Sequence, residues 1–154
     1  MKKQIILLII IVSVVLLLSR LVKNKHNGMF TEQDAKDAIL FLAKYKDVER
    51  AKLFERLLRL ETAHFTTQQY KNTGSAGMED GAWYNLPPHE VKTFHDPIKG
   101  NRPFIVWHSV TDFAKYWSDY VDRHFGDWAQ WNSKDPLAKK VYTDRVNAVS
   151  NHFI

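Results

Sequence analysis

Residues 5–22 are apolar almost without interruption, and this run is the strongest pattern in the chain. Lys2 and Lys3 precede it, and further basic residues follow it. A run of this length reaches the minimum that an α-helix needs to cross a bilayer. No small-residue cleavage site follows it, as a secretory signal peptide would require. The pattern predicts a transmembrane anchor over residues 1–23 and a polar linker over residues 24–30.

Helical spacing of apolar residues begins directly after the linker. Thr31 followed by Asp34 resembles a capping box, and an apolar stripe at helical spacing continues to Leu42. A second helix is predicted over residues 48–63. Its apolar face consists of Ala51, Phe54, Leu57 and Leu58. Its opposite face is polar and is expected to meet solvent; it consists of Lys52, Glu55, Arg56 and Arg59.

The helical period is lost over residues 66–107, where turn-forming residues separate short apolar pieces. The pieces lie at residues 82–86, 91–94 and 103–107, and they predict two or three short strands. Two further helices are then expected. One begins at Ser109, with Phe113, Trp117, Val121 and His124 on one face. The other begins at Asp135 and Pro136, with Leu137, Val141, Val146 and Val149 as its apolar stripe.

These elements predict one α+β domain, mainly helical, over residues 31–154. The chain has 154 residues, a formal net charge of +5 and no cysteine. The absence of cysteine excludes a disulfide framework and zinc–thiolate sites. The positive charge suits an anionic partner such as a cell-wall polymer or a membrane surface. Nucleic acid is not expected as a partner, because no basic stripe interleaved with aromatic residues is visible.

Glu61 departs from the pattern of the second helix. It falls near the middle of the apolar face, in the last turn before a polar, glycine-containing stretch. Burial against apolar side chains keeps a carboxyl group protonated near neutral pH, and the negative end of a helix acts in the same direction. The position therefore suits a general acid at the edge of a groove. An ion pair with Arg50 or His64 is the structural alternative.

Three short motifs resemble the lysozyme-like superfamily of glycosidases. In "RLETAHF" a helix ends at Glu61 and an aromatic residue follows at Phe65. The segments "FIVWHSVTDFAKYWSDYVDRH" and "WNSKDPLAKKV", residues 104–124 and 131–141, resemble the bacterial and phage endo-β-N-acetylglucosaminidase branch. The resemblance covers roughly residues 35–145. The Gly-Trp pair that usually follows the glutamate in this family is replaced here by "AHF".

The resemblance implies a lysozyme-like fold with a small β and loop insertion, and an enzyme that cleaves β-1,4 bonds of peptidoglycan glycan strands without a cofactor. Glu61 would be the general acid. No motif determines the second carboxylate. Glu79 and Glu90 are the candidates we favour, and Asp80 and Asp96 lie in the same insertion.

Four further residues are candidates for substrate binding. Trp83 and Tyr84 lie beside a glycine in the insertion and could stack on sugar rings, although aromatic residues of small domains more often belong to the core. Gln68 and Gln69 follow Glu61 closely and could donate hydrogen bonds to N-acetyl groups, or be ordinary loop residues.

Three other functions remain open at this stage. A lytic transglycosylase would use the same Glu61. A zinc peptidase of the cell wall would use His89, Asp96 and His108, but a nearby glutamate base is missing. A membrane-anchored wall-binding module would use the fold without catalysis. With the predicted anchor, the domain would lie outside the cytoplasmic membrane, or on a virion membrane if the chain is phage-encoded.

Overall fold

The computed structural model describes residues 28–81, 86 and 89–154. The predicted anchor at residues 1–23, most of the linker, and most of the apolar piece at residues 82–86 lie outside the described residues. In the part of the chain that is described, none of the helices combines the length and the hydrophobicity that a membrane span requires.

Two helices open the described chain. Helix α1 (Glu32–Tyr45) begins at Thr31, whose hydroxyl accepts from the Asp34 amide while the Asp34 carboxylate accepts from the Thr31 amide at 2.7 Å. This reciprocal pair is the predicted capping box. Helix α2 (Val48–Glu61) begins at Asp47, which caps the first turn. Both predicted helices are confirmed, and α2 ends at Glu61 rather than at Ala63.

A short helix and a hairpin follow. Helix α3 (Gln68–Thr73) ends at Gly74, whose φ is +69°. A Cβ there would lie 2.8 Å from the ring of Phe30, so this turn needs glycine for space as well as for its backbone conformation. Strands β1 (Glu90–Asp96) and β2 (Gly100–Val106) form an antiparallel hairpin. They contain two of the three predicted apolar pieces.

Two longer helices complete the chain. Helix α4 (Val110–Arg123) begins at its Ser109 cap, as predicted. A short 3-10 helix (Trp128–Trp131) leads to helix α5 (Pro136–Asn147), which begins at its Asp135 cap. The architecture is mixed α+β, about half helical, with one two-stranded sheet, and this confirms the predicted fold class at that level.

The core lies between α2 and the helices that surround it. Helices α1 and α2 pack on each other, α1 also contacts α4, and α2 contacts α5. The ring of Phe54 lies 5.7 Å from Phe113 and 5.3 Å from Trp117, measured between ring centroids. Phe113 and Trp117 are fully buried, as expected from their helical stripe. Aromatic pairs at such distances and angles stabilise a core beyond their buried area.

The predicted polar face of α2 is only partly exposed. Glu55 and Arg59 were expected to face solvent, yet their exposed fractions are 0% and 3%. The expectation is wrong because the C-terminal segment covers this face. Glu55 accepts hydrogen bonds from the backbone amides of His152, at 2.7 Å, and Phe153, at 3.1 Å.

The predicted stripe of α5 is also wrong in part. Leu137 and Val141 were expected to be buried, but they are 72% and 52% exposed. The buried residues of this helix are Tyr142 and Val146, which are one turn apart. The helix therefore packs on the core through the face that carries Tyr142 and Val146, and not through the face that carries Leu137 and Val141.

Candidate active site

The end of α2 places Glu61 at an unusual turn. Three consecutive non-glycine residues follow with positive φ, Ala63 at 45°, His64 at 56° and Phe65 at 67°. The Thr62 side chain holds this turn, because its hydroxyl donates to the Leu58 carbonyl at 2.6 Å and accepts from the Phe65 amide at 2.8 Å. Left-handed backbone is costly for residues with a Cβ, and such strain is concentrated at functional sites.

The Glu61 side chain is exposed. This contradicts the burial on an apolar face that its wheel position suggested, because the chain turns sharply at the helix end and leaves the side chain uncovered. The alternative ion pairs are not formed either. Arg50 donates to the Ser118 carbonyl at 2.9 Å and lies 3.2 Å from Asp122. His64 is exposed, and Glu61 has no ion pair within the described part of the chain.

Glu61 opens into a groove of about 450 Å³, which we term the glutamate groove. It is lined by Glu61, by residues 76–80, by Lys99 and Arg102 of the hairpin, and by Trp131, Asn132 and Tyr142. Its volume lies within the range of roughly 300–1,000 Å³ that is usual for small-molecule sites. Helix α2, the hairpin and the start of the C-terminal region therefore meet at one concave surface.

Glu79 lies in the same groove and is positioned by strand β2. It forms an isolated antiparallel bridge with Phe104, and the neighbouring backbone pairs with β2 through Met78 and Asp80. The Glu79 carboxylate forms an ion pair with Arg102. Arg102 also lies 3.6 Å from Asp96, so one guanidinium holds carboxylates from two segments. The second candidate carboxylate is thus brought to the groove of Glu61.

Tyr142 forms a wall of the groove and is the buried polar group next to Glu61. Its side chain is 3% exposed, and its hydroxyl faces Glu61 without making a hydrogen bond of regular geometry to any described residue. Burial raises the pKa of the Tyr142 phenol, and the negative charge of Glu61 raises that pKa further. The phenol therefore stays neutral and can donate a hydrogen bond to Glu61 or to a ligand.

The groove carries charges of both signs. Glu61, Glu79 and Asp80 supply the carboxylates, and Lys99 and Arg102 supply the cations. The Asp80 carboxylate accepts a hydrogen bond from His89 Nε2, at 2.9 Å, in the tautomer that carries the hydrogen on this nitrogen.

Three of the predicted site residues lie elsewhere. Glu90 is exposed at the start of β1, opposite Val106, and does not line the glutamate groove. Gln68 is exposed at the first position of α3. Gln69 lines a second cavity of about 210 Å³, which shares Arg102 with the glutamate groove. Trp83 and Tyr84 lie outside the described residues.

His89, Asp96 and His108 do not form a metal-ligand set. His89 lies 2.9 Å from Asp80, and the Asp96 carboxylate accepts from the backbone amides of Ile98 and Lys99, each at 2.8 Å. No group of three such side chains suited to a metal ion occurs among the described residues. These hydrogen bonds give Asp96 a structural role, because they close the turn between the two strands.

Most of the other groove residues were not predicted from the sequence, and Arg102, Trp131 and Tyr142 are among them. Tyr142 carried a usable signal, since Ala138, Tyr142 and Val146 recur at a spacing of four residues. The sequence gives no such signal for Arg102 or Trp131. The local pattern around an arginine or tryptophan that lines a groove does not differ from the pattern around one at an ordinary surface or core position.

Comparison of the chain with protein-family models, with curated proteins and with solved structures gave no significant match.

Proposed function

We propose that this chain is a peptidoglycan glycosidase of the lysozyme-like type, in which Glu61 protonates the glycosidic oxygen. The observation that carries the proposal is the shared groove. A glutamate at the end of a helix and a second carboxylate, Glu79, beside a hairpin line the same concave surface. A pair of carboxylates at the scissile bond is the usual equipment for hydrolysing a glycosidic bond.

In the proposed reaction the two carboxylates have different tasks. Glu61 donates its proton to the oxygen of the leaving sugar while the bond from that oxygen to the anomeric carbon breaks. Glu79, held by Arg102, faces the positive charge that develops on the sugar ring and stabilises it. The sugar itself covers Glu61 when it binds against Tyr142 and Trp131, and so removes water from a side chain that is exposed in the free protein.

Hydrolysis and transglycosylation differ in the group that attacks the anomeric carbon. In hydrolysis, water adds there and gives its proton to a carboxylate of the groove. In a lytic transglycosylase, the 6-hydroxyl of the same sugar attacks and Glu61 takes up its proton, so the product ends in an anhydro sugar. Both routes use Glu61 first as an acid, and the products distinguish them.

The location follows from the substrate. If the apolar run at residues 5–22 anchors the chain, the linker holds the domain close to the membrane surface. Because peptidoglycan lies outside the cytoplasmic membrane, the domain would act on that side. A role in wall remodelling and a role in phage lysis or wall penetration require the same chemistry.

The test compares three forms of the full-length chain on purified peptidoglycan, in a mild detergent because of the apolar run. They are the wild type, Glu61→Gln and the control Glu90→Gln, which alters an exposed carboxylate outside the groove. Loss of a general acid costs about 10²- to 10⁴-fold in rate. We expect that loss for Glu61→Gln and a rate near that of the wild type for Glu90→Gln.

Mass spectrometry of the released fragments identifies the reaction. Reducing N-acetylglucosamine ends indicate a glucosaminidase, reducing N-acetylmuramic acid ends a muramidase, and anhydro ends a lytic transglycosylase. Fragment release that survives Glu61→Gln would contradict the assigned acid. The absence of release by the wild type would contradict the enzyme and favour a wall-binding module.

A further inference from the structure

Helix α5 exposes an apolar surface that its own domain does not cover. Leu137 and Val141, 72% and 52% exposed, are one turn apart on this helix. They line a second, mainly apolar groove of about 360 Å³, which we term the α5 groove. Exposing aliphatic side chains of this size together is unfavourable in water, so their side of the helix is a candidate for contact with a ligand.

The α5 groove adjoins the glutamate groove. Asn132 and Tyr142 line both of them. The Tyr142 ring is therefore a common wall, with the Glu61 carboxylate on one side and the aliphatic side chains of α5 on the other. A polymer that is cleaved at Glu61 and carries a branch would direct that branch along α5.

Charged groups define the two ends of the α5 groove. Asp135 lies at the start of the helix and Arg145 lies near its end. Ten residues of helix span about 15 Å, which is the length of four or five extended residues of a peptide. Arg145 has no ion pair among the described residues. It lies close enough to Tyr142 for its positive charge to lower the pKa of that phenol, although burial raises the same pKa by more. Its guanidinium is thus available to a carboxylate of a ligand.

The occupant that fits these features is a short peptide with small apolar side chains and a carboxylate. The peptide stems of peptidoglycan have this chemistry: they are four or five residues long, contain alanine and an acidic residue, and branch from the glycan. We propose that the α5 groove binds the peptide stem of the substrate while the glutamate groove binds the glycan. This inference rests on the proposed glycosidase function, and it makes the enzyme selective for peptide-bearing glycan.

The decisive experiment compares kcat/KM on two substrates of equal glycan length, one with peptide stems and one from which an amidase has removed them. The full-length wild type is compared with Arg145→Ala and with a double variant, Leu137→Ser with Val141→Ser. Because these side chains are exposed, the substitutions leave the core intact. Val48→Ser and Arg123→Ala are matched controls, since both alter exposed residues away from α5.

We expect the wild type to prefer the peptide-bearing glycan. The ratio of the two kcat/KM values should fall about tenfold in Arg145→Ala and in the double variant, as expected for the loss of one hydrogen bond to a charged group or of a comparable apolar contact. The two controls should keep the wild-type ratio. A wild type without preference, or variants that retain it, would overturn the inference while leaving the glycosidase in place.

A second measurement is independent of catalysis. A synthetic stem tetrapeptide is titrated into the isotope-labelled chain, and amide chemical shifts are followed by NMR. Shifts at Val141 and Arg145 in the wild type, with loss of the Val141 shift in Arg145→Ala, would support the peptide site. This support holds even if the wild type cleaves neither glycan, because that result would overturn only the glycosidase. The absence of shifts along α5 would overturn the peptide site. Binding of the chain to anionic lipid vesicles would also overturn it, if Arg145→Ala and the double variant abolish that binding.

Discussion

Ala63, His64 and Phe65 show at the scale of single residues how the candidate site is built. All three have positive φ, directly after the helix that carries Glu61. The Thr62 hydroxyl and the backbone bond from the His64 amide to the Arg59 carbonyl, at 2.9 Å, keep the turn closed. The left-handed conformation costs roughly 1–2 kcal/mol for each residue with a Cβ. In return, this turn ends the helix sharply and places Glu61 at the groove.

Ala63→Gly should relieve part of this cost. Glycine adopts positive φ without the steric penalty of a Cβ, so we expect the free energy of unfolding in urea to rise by about 1 kcal/mol. Ala148→Gly is the control, because Ala148 is exposed at the end of α5 with φ of −74° and should lose stability on the same change. A loss of stability in both variants would show that the turn after α2 is not strained.

The variant Tyr142→Phe tests whether the Tyr142 hydroxyl contributes to stability or to glycan cleavage. The Tyr142 hydroxyl is buried and faces Glu61, but it makes no hydrogen bond of regular geometry among the described residues. Its removal should therefore change the free energy of unfolding little, while glycan cleavage falls if the phenol assists Glu61. Tyr70→Phe is the matched control. Its hydroxyl donates to the Thr31 carbonyl at 2.6 Å, and its loss should cost about 1 kcal/mol. Thermal unfolding of both variants, with cleavage assays, makes the comparison. A destabilised Tyr142→Phe with normal cleavage would give Tyr142 a structural role only.

At the scale of elements, α2 is covered on two sides. Its aliphatic face packs into the core, and its other face is covered by the C-terminal segment. Glu55 accepts from Arg59 at 2.8 Å and from the side chain of Asn151 at 3.1 Å, in addition to two backbone amides. The rings of Phe65 and Phe153 stack on each other, and the Arg59 guanidinium lies against both, 4.9 Å and 4.4 Å from their centroids. The segment is thereby connected to the turn that follows Glu61.

Glu55→Gln should be strongly destabilising. The neutral amide leaves the buried Arg59 with only the exposed Glu32, at 4.0 Å, as a partner charge, and it replaces one acceptor oxygen by a donor. We therefore expect a loss of about 3 kcal/mol in urea unfolding. Hydrogen exchange should also become faster at the His152 and Phe153 amides. Glu49→Gln is the control on the same helix, because its ion pair with Lys52 is exposed and is worth less than about 1 kcal/mol. Equal losses in the two variants would contradict the role of Glu55.

At the scale of the whole molecule, two buried tyrosines determine the response to alkaline pH. Burial raises the pKa of Tyr70 and that of Tyr142. The folded state therefore keeps protons that the unfolded chain releases above pH about 10. The ion pair with Asp122 likewise raises the pKa of Lys46. Stability is thus complete below the unfolded-state pKa values and decreases as pH rises above them.

The expected slope is measurable. Above pH about 10, each buried tyrosine should lower the free energy of unfolding by up to about 1.4 kcal/mol per pH unit. Urea titrations of the wild type between pH 8 and about 11 are compared with the double variant Tyr70→Phe with Tyr142→Phe. The variant should lose less stability over this range. A double variant as sensitive as the wild type would assign the alkaline loss to lysines instead.

Local features of the fold were predictable because the interactions that create them are local. Thr31, Ser109 and Asp135 start helices through hydrogen bonds to residues three positions away. The stripe with Phe113 and Trp117 predicted the buried face of α4. Of the candidate site, the sequence indicated Glu61 as a carboxylate at a helix end and Glu79 as one of several acids nearby, without a way to choose Glu79 over Glu90.

By itself, then, the sequence determined where the four longer helices and the two strands lie, and it singled out the glutamate at the end of α2. It did not predict α3, which lies in a stretch that was expected to form turns and strands. Only the tertiary structure decided which faces are covered and which side chains meet. Glu55 and His152 are 97 residues apart in sequence, and Glu79 meets Arg102 across 23. Periodicity and capping operate over a few residues, whereas burial depends on whatever segment packs against a face. That is why Glu55 is buried, Leu137 is exposed, and Tyr142 lies beside Glu61.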